Sequence, residues 1–157
     1  MASRNDGAHS HPQSTAKIGG HPIHPMLVQF PIVCFVLTLV ADIGFLQAHD
    51  HPWATASRIL LIIGLVMGAL AAVTGLTDFL GEKRIQGPDA IKHAVANVTA
   101  VVIEVVNLFL RWHDDASIGR IGVYLSAIAV LILLYSGWKG GDLVFKHGMG
   151  VYDRSDL

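Results

Sequence analysis

Long apolar runs separated by short polar joints dominate this chain. A helix needs about 20 predominantly apolar residues to cross a hydrocarbon core. Four runs meet that length approximately: residues 26–48, 58–80, 90–112 and 118–138. The joints between them are short, so consecutive helices must be antiparallel neighbours. The pattern therefore predicts an all-α, integral membrane four-helix up-down bundle over residues 19–157. A water-soluble bundle is the competing fold, but the second and fourth runs have almost no polar face to offer water. Residues 1–18, rich in Ser, His, Asn, Gln and Gly, are expected to form a disordered polar tail in which His9 and His11 are solvated.

Composition agrees with a lipid environment. The 157 residues are 52% hydrophobic and only 15% charged, where soluble domains average about 25% charged. A net charge of −1 argues against a nucleic-acid partner. The lone cysteine, Cys34, lies inside an apolar run; it cannot form an intramolecular disulfide and reads as packing. Lysine and arginine are distributed unevenly. The tails and second joint carry eight (Arg4, Lys17, Lys83, Arg84, Lys92, Lys139, Lys146, Arg154), and the first and third joints three (Arg58, Arg111, Arg120). Positive charge collects on the cytoplasmic side of membrane proteins, so both termini are expected in the cytoplasm.

The exceptions to apolarity inside the runs are the informative residues. His93, Asn97, Glu104 and Arg111 follow one another at steps of 4, 7 and 7, which places them on one helix face, and Asn107 joins it. A carboxyl group deep in hydrocarbon must face the bundle and find partners. Glu104 reads either as a neutral acid bonded to Asn107 or a hydroxyl, or as a proton-accepting or cation-binding group. Asp42 lies near the outer end of the first helix. Asp78 lies near the inner end of the second, beside Lys83 and Arg84, where an ion pair or cap is expected. Gly64 and Gly68, followed by Ala72 and Gly75, form a stripe of small residues that serves either the bundle interior or a homo-oligomer.

The histidines sort by membrane side. His21, His24, His93 and His147 belong to the side rich in Lys and Arg; His49, His51 and His113 belong to the other, with Asp50, Asp114 and Asp115. Pro22 and Pro25 hold the backbone extended around His24. Three chain-distant segments thus bring imidazoles to one depth, and three chemistries fit. His24, His93 and His147, with Asn97 beside them, supply opposing ligands for haem b, with Arg84 or Lys92 on the propionates. His21, His24, His93 and His147 together supply a zinc or copper site. Alternatively, the imidazoles only order the helix ends of a structural or assembly subunit. Gly140 and Gly141 read as a helix stop, after which residues 143–151 fold back under the bundle and bring His147 towards His93. The chain lacks CxxCH, HExxH and a phosphate loop, so covalent haem is excluded and a classical enzyme is disfavoured.

The stretches "GGHPIHPMLVQFPI", "IKHAVAN" and "GGDLVFKHGMGV", in that order, resemble the bacterial membrane family known as domain of unknown function 2231. The resemblance runs from Gly19 to Val151. It implies a four-helix protein of the bacterial inner (plasma) membrane. In some relatives a similar domain is joined to a Rieske-type iron–sulfur domain, which implies electron transfer and a redox partner protein; a single cysteine cannot build that cluster here. Relatives often carry His where this chain has Gln29. The residues that carry over are His21, His24, His93, Asn97, Gly141 and His147.

Overall fold

In this computed structural model residues 11–151 are described; Arg4, His9 and Arg154 lie outside them. Five helices follow in order: α1 Ile23–Leu27, α2 Gln29–Ala48, α3 His51–Gly81, α4 Pro88–Arg111 and α5 Val123–Phe145. α1 continues into α2 as one span, Ile23–Ala48, and a π-helical turn, Ile118–Gly122, continues into α5 as Ile118–Phe145. The described residues therefore hold four helical spans long and apolar enough to cross a membrane, the all-α four-helix architecture that the apolar runs predict.

The ends of the helices follow local chemistry. His49 adopts a left-handed backbone, φ +54°, and closes α2. Asp50 then caps α3, its carboxylate accepting the Trp53 N–H at 3.4 Å, with Pro52 in the first turn. α3 consequently starts at His51, well before the apolar window at 58. The joint to α4 contains a short 3₁₀ turn, Lys83–Ile85, and α4 opens on Pro88 with Asp89 at its positive end. Below, the end holding the α2–α3 and α4–α5 joints is the hairpin side; the other, holding His11 and Val151, is the tail side.

The bundle is built with its large apolar residues outside. Phe109, Leu131, Trp138 and Phe145 are exposed, as lipid-facing side chains are. The inner faces repeat every three or four residues, the spacing of knobs-into-holes packing. They carry Ser57, Leu61, Gly64, Gly68 and Ala71 on α3, Ala96, Ala100, Glu104, Asn107 and Arg111 on α4, and Ser126, Ala129 and Ser136 on α5. Small residues give close approach, and polar ones find partners across helices, since apolar burial supplies no drive in lipid.

One open alternative is decided by the packing, and two expectations change. A Cβ on Gly64 would meet Phe35 Cε1 at 2.6 Å, and one on Gly68 would meet Val101 of α4 and Pro31 of α2. The Gly64/Gly68 face is therefore filled by α2 and α4 and is no surface for a homo-oligomer. α5 does not stop at Gly140 and Gly141; it runs to Phe145, and the left-handed glycines are Gly148 and Gly150. The tail expected over 1–18 is held along its described part. Lys17–Ile18 pairs antiparallel with His21–Pro22 through Gly19 and Gly20, both at positive φ. Residues 14–16 dock on Asp78, whose Oδ1 accepts the Ser14 hydroxyl and the Thr15 and Ala16 amides, each at 2.8 Å. Asp78 is thus an acceptor for the tail, not an ion-pair partner of Lys83 or Arg84.

Candidate functional site: two polar layers in the bundle

Two polar layers lie inside the bundle, one towards each side. On the tail side, His24 of α1 leans on α3, its Nδ1 2.8 Å from the Ala71 carbonyl oxygen. A ring nitrogen facing a carbonyl carries the proton, which leaves the lone pair on Nε2. His93 of α4 leans on α5 in the same manner, Nδ1 lying 2.9 Å from the Ser136 carbonyl oxygen. Its Nε2 accepts from the Asn97 amide at 3.1 Å, one turn further along α4. The ring centroids of His24 and His93 are 6.3 Å apart and their planes 83°. Glycine makes both seats: a Cβ at residue 75 would meet His24 Cε1 at 2.8 Å, and one at 140 would meet His93 Cε1 at 3.1 Å. This explains a helix that continues through Gly140.

The other tail-side candidates go elsewhere. His147 points its Nε2 at Asp89 Oδ2, 3.3 Å away, at the edge of an ion network in which Lys139 bridges Asp89 (3.0 Å) and Asp142 (2.9 Å). Sharing a depth with His93 does not bring it to His93, because Asp89 and the straight run of α5 hold it aside. His21 sits exposed in the small hairpin, and Gln29 is exposed at the start of α2. Among the described residues no group of three or more His, Cys, Asp or Glu side chains is gathered for a metal ion. The expected four-histidine cluster is therefore a two-histidine pair. Arg84 is engaged by Glu82, at 2.7 Å and 3.0 Å; these bonds hold the Glu82 carboxyl down at about 2 and push the guanidinium further up. Lys92 is exposed beside a shallow hollow of about 320 Å³ between α4 and α5, lined also by Val95, Thr99 and Tyr135.

Towards the hairpin side the layer is ionic and fully enclosed. Arg111 grips Asp42 of α2 with Nη1 on Oδ1 at 2.7 Å and Nη2 on Oδ2 at 3.1 Å. Ser57 of α3 donates to Asp42 Oδ1 at 2.5 Å and Ser126 of α5 to Oδ2 at 2.7 Å. Arg111 also bonds Ser57 and Asn107 Oδ1. The Asn107 amide donates to Glu104 Oε2 at 2.8 Å and to Ser126 at 2.9 Å. All six side chains are completely buried. Arg111 and Asp42 read from the sequence as separate residues; their pairing did not. A signal for it exists: each lies late in its run, in helices that end on the same side. At the rim, Asp115 takes both Arg58 and His51, the latter at 3.0 Å, while His49 and His113 stay exposed.

These features define a polytopic membrane four-helix bundle whose core holds a histidine pair and a buried ion pair. A family described as "Predicted membrane protein (DUF2231)" matches residues 20–153, and the chain belongs to it. No curated protein and no solved structure matches the chain.

Proposed function

We propose that this protein is an electron-transfer component of the bacterial inner membrane, with both termini in the cytoplasm, that binds haem b at His24 and His93 and passes electrons to a partner protein. The observation that carries the reading is the pair itself. Two imidazoles from chain-distant helices lie 6.3 Å apart, each with Nδ1 fixed on a backbone carbonyl. Fixing one ring nitrogen on a carbonyl is the usual support for a metal-binding imidazole. Nitrogen–metal bonds of about 2.0 Å on opposite sides of one ion put ring centroids roughly 6 Å apart. Two imidazoles would also complete the protein's share of a haem iron, whereas zinc asks for four ligands.

Haem b, when bound, supplies a one-electron iron couple. The chain's part is to orient two imidazoles. His24 has its Nε2 lone pair available, while His93 must give up the Asn97 amide to ligate. A copper ion held directly by the two rings is the second reading, favoured by the same separation and by the affinity of copper for imidazole.

The test is an absorbance spectrum, oxidised and reduced, of protein expressed with ample haem, together with metal analysis. A Soret band lost in His24→Ala and in His93→Ala supports haem. Copper without a Soret band, lost in the same variants, supports the second reading. Neither haem nor metal, with His24→Ala lowering stability alone, overturns both and leaves the histidines as a structural network.

A further inference from the structure

We infer that Glu104 is a proton-binding site in the membrane interior, loaded and unloaded from the tail side. Glu104 has no exposed surface, and its Oε2 accepts from Asn107 while its Oε1 has no hydrogen-bond partner among the described residues. Charge counting then fixes its resting form. Among the described residues the charges acting on it are Arg111 of its own helix and Asp42 of α2; Cys34 is the other titratable side chain of α2, and Ser57 of α3 and Ser126 of α5, which bond Asp42, do not titrate. Arg111 is already neutralised by Asp42 through two bonds. The layer is neutral with Glu104 protonated and carries one uncompensated negative charge with Glu104 ionised. An unpaired charge in a low dielectric is strongly disfavoured, so the acid form is the resting form.

The proton has one place to sit. Oε2 is engaged as an acceptor, so the O–H is on Oε1, which has no acceptor among the described residues. The bond from Asn107 holds Oε2, and the proton on Oε1 is left unanchored. The route is set by what lies on each side. Towards the hairpin side the Asp42–Arg111 pair, closed by direct bonds with Ser57, Ser126 and Asn107 and completely buried, stands one heptad away, about 10 Å along the axis at 1.5 Å per residue, and leaves no surface to water. Towards the tail side the inner positions of α4 are Ala100, Asn97 and His93, which carry no fixed charge. In the step proposed, a hydronium ion in tail-side water breaks one O–H bond and is left as water, while an O–H bond forms at Glu104 Oε1 and turns the carboxylate into the carboxylic acid. This inference stands independently of any cofactor at the histidine pair.

The chain has two glutamates, Glu82 and Glu104. Glu82 is ionised at neutral pH by its bonds to Arg84. Protein made with carboxyl-labelled ¹³C-glutamate and reconstituted in lipid vesicles therefore assigns Glu104 by infrared difference spectroscopy without mutation. The expected result is a protonated-carboxyl stretch at neutral pH that shifts with the label. It should be absent in Glu104→Gln; in Glu104→Asp a protonated-carboxyl stretch should remain at a shifted position and no longer respond to the glutamate label. The wild-type band should also exchange in D₂O and fall as the tail-side pH is raised. Absence of a label-sensitive band means an ionised Glu104 and overturns the inference. A band that neither exchanges nor titrates means a permanently neutral acid and does the same. Exchange driven equally from the hairpin side overturns the route.

Discussion

Arg111 of α4 and Asp42 of α2 form a two-bonded ion pair, 2.7 Å and 3.1 Å, with neither side chain exposed at all. The pair joins the third membrane span to the first across the bundle. Ser57 and Ser126 bring the other two spans onto the same carboxylate. One acceptor group thus gathers donors from α3, α4 and α5. Every helix end near the hairpin side is thereby registered against Asp42.

Removing one member strands the other. Asp42→Ala leaves a buried guanidinium without its counter-charge, and a broken buried pair costs about 3–5 kcal/mol. Arg111→Ala costs a similar amount from the carboxylate side. The double variant Asp42→Leu/Arg111→Met removes both charges and is expected to recover most of the loss. Equilibrium unfolding in mixed micelles reads all three. A cost for Asp42→Ala of only about 0–1 kcal/mol, the range of exposed pairs, would show that water reaches the layer.

The two glycines of the small stripe are not equivalent. A Cβ on Gly64 would lie 2.6 Å from Phe35 Cε1 and 2.8 Å from Cδ1, so Phe35, itself almost fully buried, must move. Overpacking of this kind costs about 1–3 kcal/mol. A Cβ on Gly68 would make only ordinary contact, 3.6 Å to Val101 and 3.7 Å to Pro31. There the helix-propensity gain of alanine, up to about 1 kcal/mol, is unopposed. Gly64→Ala is expected to destabilise and Gly68→Ala to be neutral or stabilising in the same unfolding assay. Equal losses at both positions would refute the assigned packing.

Acid should loosen the tail through Glu82. Its carboxyl is held at about 2, below the ordinary 4.5, chiefly by hydrogen bonds to the Arg84 side chain and amide. A carboxyl lowered in the folded state contributes its stability above the ordinary value and loses it as pH falls from 4.5 towards 2. Glu82 Oε2 also accepts the Gln13 amide at 3.3 Å. The Gln13 amide resonance of labelled protein is therefore expected to titrate with a midpoint near 2 and to be flat over this range in Glu82→Gln. A wild-type midpoint at 4.5 would mean that Arg84 does not hold the carboxyl.

The four spans were legible because apolar length is a one-dimensional quantity, and a run of Val, Ile and Leu crossing a bilayer reads the same wherever it packs. The helix ends were less so. α3 begins with the polar turn His51–Ser57, which no hydropathy window includes, although Asp50 and Pro52 mark its start. Gly140 is chemically the same residue in a helix stop and in a close helix contact; only the His93 ring across from it decides. His24 and His93 could be put at one depth by counting residues along each run. Whether a third imidazole joins them depends on position around the bundle axis, where Asp89 holds His147 apart. The pairing of Asp42 with Arg111 likewise depends on helix rotation, which the one charged residue of α2 does not report.

The glycine seats of the histidine pair give a graded test of its geometry. A Cβ at residue 75 would stand 2.8 Å from His24 Cε1 and 2.9 Å from Nδ1, too close to keep the bond to the Ala71 carbonyl. A Cβ at residue 140 would stand 3.1 Å from His93 Cε1 and 3.3 Å from Nδ1, a contact that a small shift relieves. Gly75→Ala is therefore expected to release the Nδ1 proton of His24. Gly140→Ala should leave that of His93 on the Ser136 carbonyl, with a modest loss of stability. Imidazole ¹⁵N spectra of protein labelled at histidine distinguish the outcomes. In the wild type, two rings show protonated Nδ1 with slow proton exchange; one of them is lost in Gly75→Ala and both persist in Gly140→Ala. If both variants disturb the rings alike, the seats are not those of the structure. If neither does, the imidazoles do not rest on α3 and α5.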